Sequence, residues 1–282
     1  MAERTLIRGG HVISMDPEIG DIPGGDVLIE GEEIAAVAPS IDASDCEVVD
    51  ASGAIVIPGF IDSHRHTWET VIRGIAPDVT LDGYFQLVLD TLAPAYRPED
   101  VYAGNLLGTL EAIDAGVTTL LDWSHINNTP EHADEAIRAL AETGIRAVYC
   151  YGNPNTSLAD WWFNSTLKAP EDIRRVRERY FSSEEGLMTL AMGTRGPGFC
   201  TPEVVRHDWE LARDIGVPIS VHVGMGPVAG RFRMVEQLHD LGLLGPDITY
   251  IHCNHLTDRE FRLIAETGGT VSIAPMVEMT MG

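Results

Sequence analysis

Residues 55–67, IVIPGFIDSHRHT, place two histidines two positions apart at the end of an apolar run broken by Pro58-Gly59. Alternate residues of a strand project to the same side, so Asp62, His64 and His66 leave one backbone segment in one direction. Two neutral imidazoles converging on a point suit a borderline metal such as zinc. The triplet His-Arg-His also recurs by chance in paired, partly buried histidines that bind nothing, so its flanks and its place in the fold must decide.

The elements that would carry these rings can be read along the chain. Segments 5–15, 26–38 and 46–57 read as short strands broken by glycine turns, with His11 as a structural residue among them. From Phe60 onward, apolar strands at 60–64, 117–123, 145–151, 187–193, 218–223, 248–252 and 270–274 are separated by helical segments. Over 131–143, Ala136, Ile137, Leu140 and Ala141 recur at the spacing of one buried helix face. The helix near 201–215 opens with Thr201-Pro202, and that over 257–267 opens TDRE, a capping-box pattern. Strand alternating with helix means parallel βα units. Residues 153–169 are too long and aromatic for a plain connector. There Trp161 and Trp162 either lie over a site or pack on a neighbouring subunit.

The net charge of −24 over 282 residues argues against nucleic acid and anionic membrane surfaces, both of which need basic patches. No apolar run approaches the roughly 20 residues needed to span a bilayer. The opening MAERTLIRGG has no long apolar signal core, so a cytoplasmic location is expected. Cys46, Cys150, Cys200 and Cys253 stand far apart without a CxxC pair and read as free thiols.

With PGFIDSHRH as its first-strand motif, the chain resembles the amidohydrolase superfamily, whose first barrel strand reads PGxxDxHxH. More narrowly it resembles the branch of cytosine, guanine and S-adenosylhomocysteine deaminases and triazine hydrolases. The likeness continues through HTWETVIRG, GTLEAIDAGVTTLLD, SVHVG and YIHCNHLTDREFRLIAETGG, in order and over nearly the whole chain. It implies a small N-terminal β-sandwich portion over 1–57. Over 58–282 it implies a (β/α)8 barrel of the TIM type, with the eighth strand missing. Only seven strands precede Met281-Gly282, so a fragment or the first part of a longer protein is expected, without the eighth-strand aspartate that the family requires. Family members are commonly dimers or larger, which makes a homo-oligomer an expectation.

Working residues of such a barrel sit at the C-terminal ends of strands. His64 and His66 end the first, His222 the fifth in ISVHVG, and His252 the sixth in TYIHC. The resemblance implies that His64, His66 and His222 bind one divalent metal, zinc or alternatively iron. It puts His252 at the metal's water or the substrate. His255, three residues on, reads as a supporting or structural residue at the catalytic end, and Asp62 as structural. His125 follows the second strand and could reach substrate from its loop. Trp68, Arg195, Met276 and Glu278 are candidate substrate contacts, an aromatic face and a methionine suiting a flat heterocycle, with Arg195 reading alternatively as the partner of a structural carboxylate. His132, His207 and His239 fall on helices and read as solvated.

A bound Zn²⁺ or Fe²⁺ lowers the pKa of its water from about 15.7 toward 7, supplying hydroxide to an electrophilic carbon. The family's deaminases shuttle the proton through a glutamate in HxxE; here that position is Met225, which carries no proton. For the missing eighth-strand aspartate, a ligand and base in the family, Glu69 and Glu278 are the alternative carboxylates, each otherwise an ordinary surface acid. The leading expectation is hydrolytic deamination of a small nitrogen heterocycle. Opening of a cyclic amide or loss of another leaving group comes second. A barrel without turnover, serving as a binding or structural subunit, comes third.

Overall fold

The computed structural model describes residues 4–183 and 185–281. Contacts divide the chain between Phe60 and Ile61, three residues beyond the boundary expected from sequence. The first unit is β-rich. Strands β1 (Arg4–Ile13), β2 (Asp21–Glu30), β3 (Glu33–Ala38), β4 (Glu47–Asp50) and β5 (Ile55–Val56) form one sheet in the order β3-β2-β1-β4, with β5 also beside β1. Leu6, Val12, Val27 and Leu28 are its buried apolar residues. The Asp26 carboxylate accepts from the Gly9 and Ile41 amides at 2.9 Å each, which ties β1 and the segment after β3 to β2.

In the second unit, β6 (Phe60–Arg65), β7 (Val117–Ser124), β8 (Arg146–Tyr151), β9 (Met188–Thr194), β10 (Ile219–Val223), β11 (Ile248–His252) and β12 (Thr270–Ser272) form a seven-stranded sheet in sequential order. The registers described from β7 to β12 are all parallel. Ser63 on β6 and Ser272 on β12 share a hydrogen bond of 2.7 Å, so the two ends of the row meet. The sheet is a nearly closed barrel. Strands of such a sheet are covered on both sides; accordingly every residue of β10 is buried.

The helices are α1 (Leu81–Tyr84), α2 (Pro98–Asp114), α3 (Pro130–Thr143), α4 (Leu158–Trp162), α5 (Asp172–Tyr180), α6 (Pro202–Asp214), α7 (Gly226–Gly230), α8 (Met234–Asp240), α9 (Asp258–Thr267) and α10 (Pro275–Met281). On α3, Ala136, Ile137 and Leu140 are buried as the apolar spacing predicts, together with Ala133, whereas Ala141, expected on the same face, is exposed. At α9 the Thr257 hydroxyl accepts from the Glu260 amide, and the Glu260 carboxylate accepts from the Thr257 amide, the capping box that TDRE predicts.

Three expectations need correction. His132 is buried, its ring nitrogens bonded to Thr129 Oγ1 and to the Tyr96 carbonyl; it closes the N-terminus of α3 and is not solvated. Of the two readings of Trp161 and Trp162, packing on a neighbouring subunit is the one set aside, since both are buried within the chain. Glu278 lies on α10, not in a loop. Between β6 and α2 the chain makes an excursion absent from the sequence reading: a 3-10 segment Thr67–Ile72, α1, a π-helical stretch Phe85–Leu92 and a 3-10 turn Ala93–Ala95. No helix among the described residues is long and apolar enough to cross a membrane.

Candidate metal centre and active site

Strand ends gather the imidazoles. Ring centroids lie 4.8 Å apart for His64–His66 and His64–His222, and 5.3 Å for His66–His222 and His222–His252; His64–His252 is 5.6 Å. Ligating nitrogens of His64, His222 and His252 fall within 4.8 Å of one another. This triad includes His252 and leaves out His66, where the resemblance implies His64, His66 and His222. His66 faces the same centre with Nδ1 2.7 Å from the Trp123 carbonyl. A carbonyl only accepts, so that nitrogen carries the proton and Nε2 keeps its lone pair. The Nδ1 of His252 is fixed in the same way, 3.2 Å from Glu278 Oε1.

Burial lowers the pKa of all these rings. His64 and His222 lie well below the ordinary imidazole value, with neighbouring imidazoles adding to the effect. His66 falls to about 4 despite its bond to Trp123. His252 is lowered less, because Glu278 favours its charged form. Neutral rings are what a divalent cation requires. Two further observations fit a metal. His64 Nδ1 is buried without a hydrogen-bond partner. His64 Nε2 and His222 Nε2 face each other at 3.2 Å, close to the roughly 3.3 Å edge of a tetrahedron with Zn–N bonds of about 2.0–2.1 Å.

The backbone beneath the rings is constrained. Trp123 is fully buried, with its ring 4.5 Å from that of His222 and its Nε1 donating to Ser220 Oγ at 3.1 Å. Asp122 accepts from the Thr67 amide at 3.1 Å and from Asn105 Nδ2 at 2.7 Å, which pins the residue after His66 to β7 and α2. His252 and Cys253 have φ of 73° and 59°, and the Cys253 amide donates to Ile251 O at 3.1 Å. The result is a tight γ-turn on His252, a strained conformation of the kind that collects at working sites.

These rings stand at the base of a cavity of about 550 Å³, walled by Leu81, Tyr84, Phe85, Trp162, Met225 and Met276. Asp62, Arg65, Glu69 and His125 also line it. His125 is buried, stacked 4.0 Å from the His66 ring. It accepts from Trp68 Nε1 through Nδ1 at 3.1 Å, and its Nε2 is 3.3 Å from Tyr84 Oη. Tyr84 in turn donates to Glu69 Oε1 at 2.5 Å.

Of the candidate substrate contacts, His125 and Met276 line the cavity. Trp68 does not: it is fully buried behind the wall and reaches the site only through His125. Arg195 is also buried elsewhere. Its guanidinium donates to the carbonyls of Trp161 and Leu167 and to Ser165 Oγ, and pairs with Asp208 at 3.5 Å, so it fixes the 158–167 segment. Glu278 faces His252 instead of the open cavity. His255 is absent from the lining; its amide bonds Gly224 O, and its Nδ1 has no partner. Trp162 lines the cavity, as the reading of 153–169 as a segment over the site expects; Tyr84 and Phe85 are wall residues that the sequence reading does not assign.

Comparison with known proteins bears on the same region. The sequence pattern of the Amidohydrolase family matches residues 55–280. The 5'-deoxyadenosine deaminase of Methanosarcina mazei is 29% identical over 287 residues, covering 98% of this chain and 63% of that protein. The 5-methylthioadenosine/S-adenosylhomocysteine deaminase of Thermococcus kodakarensis is 30% identical over 283 residues, with 98% and 64% covered. The chain thus spans somewhat under two thirds of the length of these curated relatives. Among solved structures, the fold matches atrazine chlorohydrolase of Arthrobacter aurescens TC1 complexed with zinc (TM-score 0.85, 22% identity, 99% of this chain and 67% of that one). It also matches an adenosine deaminase of Xanthomonas campestris with bound zinc (TM-score 0.79, 22% identity, 98% and 64% covered).

Proposed function

The chain belongs to the amidohydrolase family, and from that membership we propose that it is a metal-dependent hydrolase of a non-peptide carbon–nitrogen bond that deaminates a small nitrogen heterocycle. The observation that carries the reading is the convergence of His64, His222 and His252 within 4.8 Å at the base of an aromatic-walled cavity. His64, His222 and His252 would hold the ion, with His66 completing the set; zinc is our choice, since these are borderline nitrogen ligands and structural relatives carry it. When bound, the ion supplies a water acidified from about 15.7 toward 7 and a positive charge near the attacked carbon.

The chain's own residues do the rest. Tyr84, Phe85 and Trp162 hold a flat ring between aromatic faces, and Met225 and Met276 adapt to its edge. Glu278 holds the His252 ring in one tautomer, so that Nε2 keeps its lone pair for the ion. The substrate class comes from the relatives named for adenosine derivatives and triazines, so these are the compounds to try first.

A second reading, loss of a leaving group other than ammonia or opening of a cyclic amide, is favoured by one observation. Met225 lines the cavity where the family's deaminases have the HxxE glutamate. The test is ammonia release by the zinc-loaded native protein from 5'-deoxyadenosine, cytosine, guanine and an aminotriazine. Release from one of these is expected. A zinc-loaded protein that frees no ammonia from any of them but opens a lactam overturns the deaminase reading.

A further inference from the structure

Glu69 is the end point of a directed hydrogen-bond chain. An indole N–H only donates, so Trp68 Nε1–H fixes Nδ1 of His125 as an acceptor. A neutral His125 then carries its proton on Nε2 and donates to Tyr84 Oη, 3.3 Å away. The tyrosine hydroxyl, its lone pair engaged, donates onward to Glu69 Oε1. Each polar atom in this row has one role available. Oε2 of Glu69 has no hydrogen-bond partner among the described residues, and 23% of the side chain is exposed, on the cavity wall. Asp62, the other carboxyl of the lining, is drawn toward Arg65 at 3.7 Å.

Resting on the hydrolase reading above, we propose that Glu69 is the proton-carrying residue of this site, working through Oε2 in the role Met225 cannot fill, with Tyr84 and His125 as positioning residues. Oε2 takes one proton from the attacking water as the C–O bond forms, and returns it to the exocyclic nitrogen as the C–N bond breaks. Ammonia leaves, the second water proton stays on the new hydroxyl as a tautomer of the oxo product, and the carboxylate is restored. No oxidant or co-reactant is needed. The environment suits a group that must both gain and lose a proton. Burial raises the Glu69 carboxyl to about 7 against the opposing hydrogen bond from Tyr84. The groups facing it are Tyr84, His125 at 4.0 Å and Tyr96, whose own hydroxyl is pushed up to about 12 by burial and then by Glu69.

The experiment compares wild type, E69Q and Y84F of the full-length zinc-loaded protein on the heterocycle that releases ammonia. E69Q is expected to lower kcat by about 10²- to 10⁴-fold with zinc content unchanged and KM nearly so. It should also lose the pH limb near neutrality. Y84F should move that limb to higher pH, because the tyrosine hydroxyl favours the ionised carboxylate. Folding is checked by melting. The unfolded carboxyl ionises near its ordinary pKa and the folded one near 7, so wild type is penalised progressively as pH rises between them. The gap by which E69Q melts above wild type should therefore widen from about pH 5 to about pH 8. A gap that stays constant, or a kcat that survives E69Q in an active wild type, overturns the role of Glu69 alone. A wild type that hydrolyses none of the compounds overturns the functional reading, and this role with it.

Discussion

Glu278 does two things with one oxygen. Oε1 accepts from the Ala274 amide at 2.7 Å, closing the start of α10, and lies 3.2 Å from His252 Nδ1. Only the second bond bears on the metal. Outer carboxylates that orient a ligating histidine typically account for 10- to 100-fold in metal affinity. E278A is expected to weaken zinc binding by about that range in a chelator competition, and E278Q, whose amide oxygen keeps both acceptor roles, by much less. Equal affinities for wild type and E278A would mean that the γ-turn on His252 alone sets the ring. That turn is itself a reason to assign His252 to function. Two consecutive non-glycine residues at φ of 73° and 59° cost on the order of 1–3 kcal/mol each, and the Cys253 amide also bonds the Val223 carbonyl at 3.1 Å, so the turn is anchored to β10 beside His222. The four depressed imidazoles of His64, His66, His222 and His252 make the same point: burial keeps them neutral and leaves lone pairs for a cation.

Helix α2 reaches the site through two glycines. A Cβ on Gly104 would stand 2.4 Å from Trp68 O, and one on Gly108 2.3 Å from Thr70 Oγ1, so the 67–72 segment lies directly on the helix backbone. Trp68 cannot give way, because its ring holds His125. G104A is expected to destabilise the protein by about 1–3 kcal/mol, the range for overpacking a core, read as a fall in denaturation midpoint. G108A should cost less, since a threonine side chain can rotate. A G104A variant as stable as wild type would show that this contact is loose. The sequence disclosed neither glycine's role, because a small residue inside a helix shows nothing of what packs on it. It did disclose the strands, whose apolar runs flanked by helical periodicity need no partner to be recognised, and with them the strand-end histidines. The segment between β6 and α2 stayed illegible: its 3-10 and π turns follow no single period, and Tyr84 and Phe85 gain meaning only from what they face. Arg195 shows the same limit: a cation after a barrel strand looks the same in sequence whether it opens to the cavity or pairs with a structural carboxylate, here Asp208.

At the scale of the whole barrel, the site exists because the sheet closes. His64 on β6 and His222 on β10 are separated by β7, β8 and β9. Four strand spacings of about 4.8 Å put them roughly 19 Å apart along a flat sheet, yet their Nε2 atoms are 3.2 Å apart. A cation held there ties strands that share no ladder, so its binding free energy becomes stability of the curled sheet. Zinc at about one hundred times its Kd should stabilise the protein by about 2.7 kcal/mol, seen as a higher melting temperature that a chelator reverses and that H222N lacks. Hydrogen exchange locates the effect: protection should rise in β6, β10 and β11, whose ends carry the ligands, and stay unchanged in β1 to β5. Zinc that shifts no melting temperature, or that protects β1 to β5 as strongly as β6, would mean that these imidazoles meet for packing and not around an ion.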